Sequence, residues 1–205
     1  MIAIIDYGAS NLRSVVNAFE ALETKTIVTN NPADLKRADA IVLPGVGAFG
    51  DGIKSLRKLN LVEAINEEVL LKKKPYLGLC LGLQFTATES REQGRHKGFG
   101  WIKGTVRKIH PDNKKFRVPH IGWNNLDLQK NSPLFEGIEN LSFYFLHSFQ
   151  LEVDKADLSA VSATCWHGEK ITASIERENI FAVQFHPEKS QIAGLALLRN
   201  FIRII

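Results

Sequence analysis

Cys80 lies in the run Pro75-Tyr76-Leu77-Gly78-Leu79-Cys80-Leu81-Gly82-Leu83-Gln84, and further along the chain reads Phe185-His186-Pro187-Glu188. A thiol, an imidazole and a carboxylate are what nucleophilic acyl transfer needs: an attacking atom, a base, and an anion that orients the base. The first run has the form Gly-x-Cys-x-Gly, the thiol counterpart of a nucleophile elbow, in which a short buried strand turns sharply into a helix. Gly78 and Gly82 carry no Cβ, so neighbouring segments can pack against the bend. The expectation is a Cys80 thiol pointing into solvent at a helix N-terminus, whose partial positive charge favours thiolate. In the second run, proline biases His186 toward an extended conformation, so His186 and Glu188 should project to the same side. Glu188 can then grip Nδ1, fix the tautomer and leave Nε2 facing the thiol.

A lone buried cysteine is usually a small hydrophobe, and a lone histidine a hydrogen-bonded polar residue. The chemical reading therefore rests on the conjunction of the two motifs. Cys165, in Ala163-Thr164-Cys165-Trp166, has no flanking glycines and is assigned to the core.

The elements that must position these groups alternate through the first half of the chain. Ile2 to Ile5 is a continuous apolar strand; Leu12, Val15, Val16, Phe19 and Leu22 fall at helical spacing; Thr26 to Val28 and Ala40 to Leu43 are strands. Helices follow to Leu71, then a strand from Tyr76 to Leu79 and a helix from Leu81. The pattern predicts an α/β fold with an open, mixed, mostly parallel sheet flanked by helices. In the second half, strands are expected at Thr105 to Ile109, Phe143 to Leu146, Leu158 to Ala163, Ile171 to Ile175 and Ile180 to Phe185, with a terminal helix from Ala193 to Ile202. The charged segment from Glu89 to Gly100 reads as a loop.

Asp6-Tyr7-Gly8, Pro44-Gly45-Val46-Gly47, Gly78-Leu79-Cys80 and the His186 motif each fall at the C-terminal end of an expected strand, the edge where open α/β sheets bind ligands. The glycine-rich loop from Pro44 to Gly52 lacks the Gly-Lys-Ser/Thr ending of a phosphate-binding loop. Its backbone amides suit an oxyanion better.

The chain has 205 residues, 44% of them hydrophobic, and is expected to form a single domain spanning residues 1–205. Its start, Met1-Ile2-Ala3-Ile4-Ile5-Asp6, reads as a first strand and not as a signal peptide. No apolar run approaches membrane-spanning length. Two cysteines, one of them a working thiol, argue for a reducing cytoplasm. The net charge of +4 lacks the aromatic-basic interleaving of a nucleic-acid surface, so neither nucleic acid nor membrane is an expected partner. Lys72-Lys73-Lys74, ahead of Pro75, is explained by cations at a helix C-terminus.

The motifs together resemble those of the class I, triad-type glutamine amidotransferases. Asp6-Tyr7-Gly8 with Asn11-Leu12, Leu43 to Phe49, Gly78 to Gly82, Val118 to Asn124, Tyr144 to Ser148 and Gln184 to Ser190 look like that family's motifs, in order, over nearly the whole chain. The Cys and His-Pro-Glu motifs specify the broad class. Pro119-His120-Ile121-Gly122-Trp123-Asn124 and the Pro-Gly-Val-Gly-Ala-Phe loop are similar to the branch of glutaminase subunits serving imidazole glycerol phosphate synthases. Ser10, Leu83 and Phe149 stand where the family usually has glycine, methionine and tyrosine.

The resemblance implies a flavodoxin-like sheet and hydrolysis of L-glutamine to L-glutamate and ammonia by Cys80, His186 and Glu188, a chemistry that calls for no metal or cofactor. It implies an oxyanion site made by the backbone amides of Leu81 and Val46. Gly47, Gln84, His147, Ser148 and Phe149 would contact bound glutamine, chiefly through backbone. It further implies a heterodimer with a (β/α)₈ barrel synthase subunit that consumes the ammonia, docked on a rim containing Asn11, His120, Trp123, Asn124 and Lys189. Two other readings compete: a paralogous triad glutaminase feeding sugar amination or pyridoxal phosphate synthesis, and a non-catalytic glutamine-binding module. The Val118 to Asn124 segment speaks against the pyridoxal phosphate subunit, and the intact triad against the non-catalytic module.

Overall fold

The computed structural model describes residues 1–8, 11–113 and 115–205. Ser10 lies outside the described residues. The strands are β1 (Ile2–Ile5), β2 (Thr26–Thr29), β3 (Ala40–Leu43), β4 (Tyr76–Leu79), β5 (Ala87–Ser90), β6 (His96–Lys97), β7 (Ile102–Lys108), β8 (His120–Asn125), β9 (Asp127–Leu128), β10 (Ser142–His147), β11 (Phe149–Val153), β12 (Val161–Trp166), β13 (Lys170–Arg177) and β14 (Ile180–Val183). The helices are α1 (Leu12–Glu20), α2 (Pro32–Arg37), α3 (Phe49–Lys58), α4 (Leu61–Asn66), α5 (Leu81–Gln84) and α6 (Gln191–Ile204).

Eight strands form the main sheet in the order β2-β1-β3-β4-β14-β13-β12-β9. Pairing is parallel from β2 through β14 and antiparallel from β14 to β9. The parallel strands are short apolar runs because most are buried on both faces. Alternate residues then feed two cores. Ile4, Val42, Leu77, Leu79 and Val183 pack with α1 and α6 on one face, while Ile5, Ile41, Leu43, Tyr76 and Ala182 pack with α3 and α4 on the other. The crossover order is that of a flavodoxin-like sheet, which brings the ends of β3, β4 and β14 side by side. A second, two-stranded sheet pairs β8 with β10, and a third runs β11-β7-β5-β6.

Several expected elements differ in detail. The segment expected as a loop from Glu89 holds the end of β5 and all of β6, which pair as Glu89 with Lys97 and Ser90 with His96. The strand expected at Leu158 begins at Val161, because residues Lys155–Ala160 wind into a 3₁₀ helix. Asp157 holds that turn by accepting the Lys103 amide at 2.7 Å and pairing with Arg177 at 2.9 Å. β12 carries buried hydroxyls that hide its strand signature; Ser162 Oγ donates to Ser174 Oγ at 2.8 Å. The Lys72-Lys73-Lys74 run is neutralised by more than a helix dipole. Buried Glu68 pairs with Lys72 at 2.6 Å and Lys74 at 2.9 Å, and Lys73 pairs with Glu178. Among the described residues no helix is long and apolar enough to cross a membrane.

Candidate active site

β4 ends at Leu79 and α5 begins at Leu81, leaving Cys80 alone to turn the chain. It does so with φ 53° and ψ −100°, a conformation that costs a non-glycine residue on the order of 1–3 kcal/mol. The bend is held from both sides. Cys80 N–H donates to the Val183 carbonyl at 2.8 Å, and the Cys80 carbonyl accepts from the amides of Leu83 and Gln84. The flanking glycines are required by contact: a Cβ on Gly82 would meet the Leu43 carbonyl oxygen at 1.9 Å, and one on Gly78 would meet the Gly82 backbone at 2.6 Å. Such close backbone approach is open only to glycine.

In place of the solvent-facing thiol expected from the sequence, the structure has Cys80 only 6% exposed. Cys80 follows β4 directly and its amide bonds Val183 at the end of β14, which keeps the residue tucked against the two strand ends. Gln184 Nε2 donates to Cys80 Sγ at 3.6 Å. His186 and Glu188 follow β14, the parallel neighbour of β4. His186 Nδ1 and Glu188 Oε1 are 2.9 Å apart, so the two project together as expected. His186 Nε2 is buried without a hydrogen bond in this geometry. Burial disfavours the imidazolium, but the Cys80 sulfur and the Glu188 carboxylate outweigh it and raise His186 from 6.5 to about 10. The imidazolium is thus the favoured form of His186.

Asn11, expected on a docking rim, is half-buried and makes a contact the sequence did not suggest. Its left-handed backbone, φ 83°, turns the side chain inward, and Nδ2 donates to Glu188 Oε1 at 2.9 Å. One carboxylate oxygen therefore takes both the histidine and the asparagine. His120, also expected on the rim, is buried instead, stacked on Phe145 and His167. Trp123 is 48% exposed against Tyr144, Asn124 is half-buried and Lys189 is exposed.

A cavity of about 310 Å³ opens at the sulfur, lined by Val46, Gly47, Cys80, Leu81, Gln84, Glu92, Pro119, Leu146, His147, Ser148 and Phe149. Every residue expected at the oxyanion or around glutamine lies on this wall. Gln84 does not extend its amide nitrogen into the cavity, because Nε2 donates to the Phe149 carbonyl at 2.9 Å and to Gln184 Oε1 at 3.2 Å. The Leu81 amide, expected free for an oxyanion, donates to the Gly45 carbonyl at 3.3 Å.

Sequence reasoning missed Glu92, Gln184 and the inward turn of Asn11. Glu92 is the one carboxylate on the cavity wall, held there by the Phe49 amide at the start of α3, which donates to Oε2 at 2.8 Å. Nothing in the Glu89 to Gly100 composition marks it. Gln184, two residues before His186 and directly after β14, could have been found from that even spacing. Among the described residues no group of three or more His, Cys, Asp or Glu is placed to hold a metal ion.

Fold and sequence place the molecule in one class, since the family model for class-I glutamine amidotransferases matches residues 3–205. Solved structures agree at the level of the fold: a glutamine amidotransferase crystal structure superposes with TM-score 0.74 at 17% identity, covering 100% of this chain and 98% of that one. The PurLQS structure from Thermotoga maritima gives TM-score 0.72 at 19% identity, covering 99% and 97%. Closer in sequence is imidazole glycerol phosphate synthase subunit HisH 1 of Campylobacter jejuni (strain RM1221), 48% identical over 205 residues and 100% of both chains. The HisH subunit of Methanothermobacter thermautotrophicus is also 48% identical, over 100% of this chain and 99% of its own. The chain belongs to the HisH family of class-I glutamine amidotransferases.

Proposed function

We propose that the chain is a cytoplasmic, single-domain glutaminase that supplies ammonia to a (β/α)₈ barrel synthase subunit making imidazole glycerol phosphate and an aminoimidazole-carboxamide ribotide in histidine biosynthesis. The observation that carries this reading is the placement of Cys80 on the wall of a cavity, with His186 paired to Glu188 on the neighbouring strand end.

In this account the Cys80 thiolate attacks the side-chain amide carbon of L-glutamine. The carbonyl oxygen becomes an oxyanion. His186 Nε2–H gives its proton to the nitrogen, ammonia leaves, and a thioester remains on the sulfur. Nε2 then takes a proton from water, hydroxide adds to the thioester, and glutamate departs as thiolate reforms. Glu188 and Asn11 hold the imidazole in the productive orientation through Glu188 Oε1. Gln184 donates to the sulfur and helps hold it in place. No step calls for a metal.

The α-ammonium of glutamine needs an acceptor, and Glu92 supplies the only carboxylate on the wall. Glu92→Gln should raise KM for glutamine by roughly tenfold or more, the worth of a charged hydrogen bond, with a smaller change in kcat. A KM equal to the parent's in initial-rate assays would remove Glu92 from the substrate site.

The Gly45–Val46 peptide links the engaged carbonyl to the second expected oxyanion amide. Across a trans peptide, C=O and N–H point in opposite directions. While Gly45 C=O accepts from Leu81, the Val46 amide is therefore turned away from that site. Rotating this one peptide would release the Leu81 amide and present that of Val46. Such a rotation turns ψ of Gly45, which has no side chain to hinder it. Each oxyanion donor is worth roughly 10²–10³-fold in rate, so this state is a resting one. The barrel would dock on the face of the β8–β10 sheet, where Ile121, Trp123 and Leu146 are exposed apolar residues beside the cavity, with Lys189 at its edge.

The experiment is steady-state glutamate release by the chain alone and with the barrel subunit carrying its acceptor ligand. A rise of at least roughly 10²-fold in the complex is expected. A lone chain that already turns over at the complex's rate would contradict the resting-state account.

A further inference from the structure

A hydrogen-bonded line runs from the outer sheet to the wall of the glutamine cavity. Phe149 C=O accepts at 2.8 Å from His147 Nδ1 and at 2.9 Å from Gln84 Nε2, which fixes the backbone that lines the cavity at Ser148 and Phe149. A carbonyl can only accept, so His147 carries its proton on Nδ1 and its Nε2 is an acceptor. His120 Nδ1 lies 2.9 Å from that Nε2 and must be the donor. His120 Nε2 is then an acceptor in turn, facing Asn124 Nδ2 at 3.2 Å. Asn124 is anchored at the outer end, with Nδ2 also on the Trp166 carbonyl at 2.9 Å and Oδ1 accepting from the Asn125 amide. Every tautomer in the line is set by its ends. His120 is clamped flat between Phe145, at 4.6 Å, and His167, at 4.0 Å; His167 in turn bonds the Arg117 carbonyl.

The polarity of β8 is what makes this line possible. His120 and Asn124 turn inward while Ile121 and Trp123 turn outward, an inversion of the usual arrangement for a half-buried strand. Polar residues occupy core positions there because each has its partner. Burial, reinforced by the neighbouring imidazoles, pushes His120 down to about 3 and His147 down to about 4, so both rings stay neutral near neutral pH and the line keeps its direction.

We infer that His120 is a positioning residue for glutamine, acting through His147 to hold the Ser148–Phe149 backbone in its substrate-binding arrangement, with Asn124 tying that line to the outward face carrying Trp123. This rests on the reading of the cavity as a glutamine site. The line ends on backbone and makes no direct hydrogen bond to Cys80, His186 or Glu188, so its energetic weight is assigned to binding, with ground state and transition state losing equally when it is cut. The signature is therefore a raised KM with little change in kcat.

The test uses three variants, each in complex with the barrel subunit. His120→Phe keeps the stacking and the volume but removes both hydrogen bonds; KM for glutamine should rise roughly tenfold, with kcat within about threefold of the parent. His120→Asn can restore a donor toward His147 Nε2 and should bring KM back to within about threefold of the parent value. Asn124→Ala, on the partly exposed end, should raise KM a few-fold without lowering Tm, and it reads the same line should His120→Phe fail to fold. The rate at which iodoacetamide alkylates Cys80 should change far less than KM in all three, because the line reaches the sulfur only through Gln84 and Gln184. Parent-like KM in His120→Phe or Asn124→Ala would overturn the inference, as would equal increases in His120→Phe and His120→Asn, which would mark a packing role. Glutamate release by the unmodified complex separates the two levels. If that is absent, the glutaminase reading itself falls and the line with it; if it is present while KM is unmoved by the variants, only the line falls.

Discussion

Cys80→Ser should release glutamate at least roughly 10³-fold more slowly than the parent chain in the partner complex, whereas Cys165→Ser should stay close to the parent rate. The contrast follows from two environments. Cys80 sits at a strained bend with an amide N–H on its sulfur and an imidazolium beside it. Cys165 lies within β12, opposite Ile171, where burial pushes its thiol from 9.0 up to about 12 and keeps it protonated. A serine at position 80 has nearly the same shape, but its hydroxyl is far harder to ionise than a thiol. Its loss would thus be chemical rather than structural. Unchanged Tm alongside lost turnover is the expected pairing, and near-normal turnover would remove Cys80 from the nucleophile's role.

The second large effect separates the base from its orienter. His186→Ala removes the group placed to protonate the departing amide nitrogen and should cost on the order of 10²–10⁴-fold in kcat. Glu188→Gln is expected to be milder than that. A glutamine retains a carbonyl oxygen that can accept from His186 Nδ1–H and from Asn11 Nδ2, so the geometry survives while the charge is lost. Exchanging a charged for a neutral hydrogen bond is worth roughly tenfold. Comparing kcat for the two variants under saturating glutamine decides the matter; a Glu188→Gln defect larger than that of His186→Ala would reverse the assigned roles.

How legible the molecule was depended on where each residue's energy lies. β1, β3 and β4 could be bounded from the sequence because strands buried on both faces must be apolar at every position. The elbow was legible for a steric reason: two glycines flanking a cysteine announce a bend that other residues cannot pack around. β8 was missed as a strand because its alternation is inverted, with apolar side chains outward. The same inversion placed His120 on the expected rim, when the chain buries it. The Asn11 contact was hidden for a different reason. The residue's left-handed backbone redirects the side chain to Glu188, a contact across 177 residues that no local pattern encodes. The engaged Leu81 amide was likewise beyond sequence reasoning, since it depends on which way a single peptide faces. Residue types at the site were readable; the partners that tune them were set by tertiary approach.

The central claim is that Cys80 is the nucleophile of a glutamine-specific site. It is tested most directly by treating the complex with an electrophilic diazoketone analogue of glutamine and mapping the adduct by peptide mass spectrometry. The account predicts one covalent label per chain, on the peptide containing Cys80, with none on Cys165 and with labelling suppressed by excess L-glutamine. A label on Cys165, or labelling of Cys80 that L-glutamine does not slow, would contradict it.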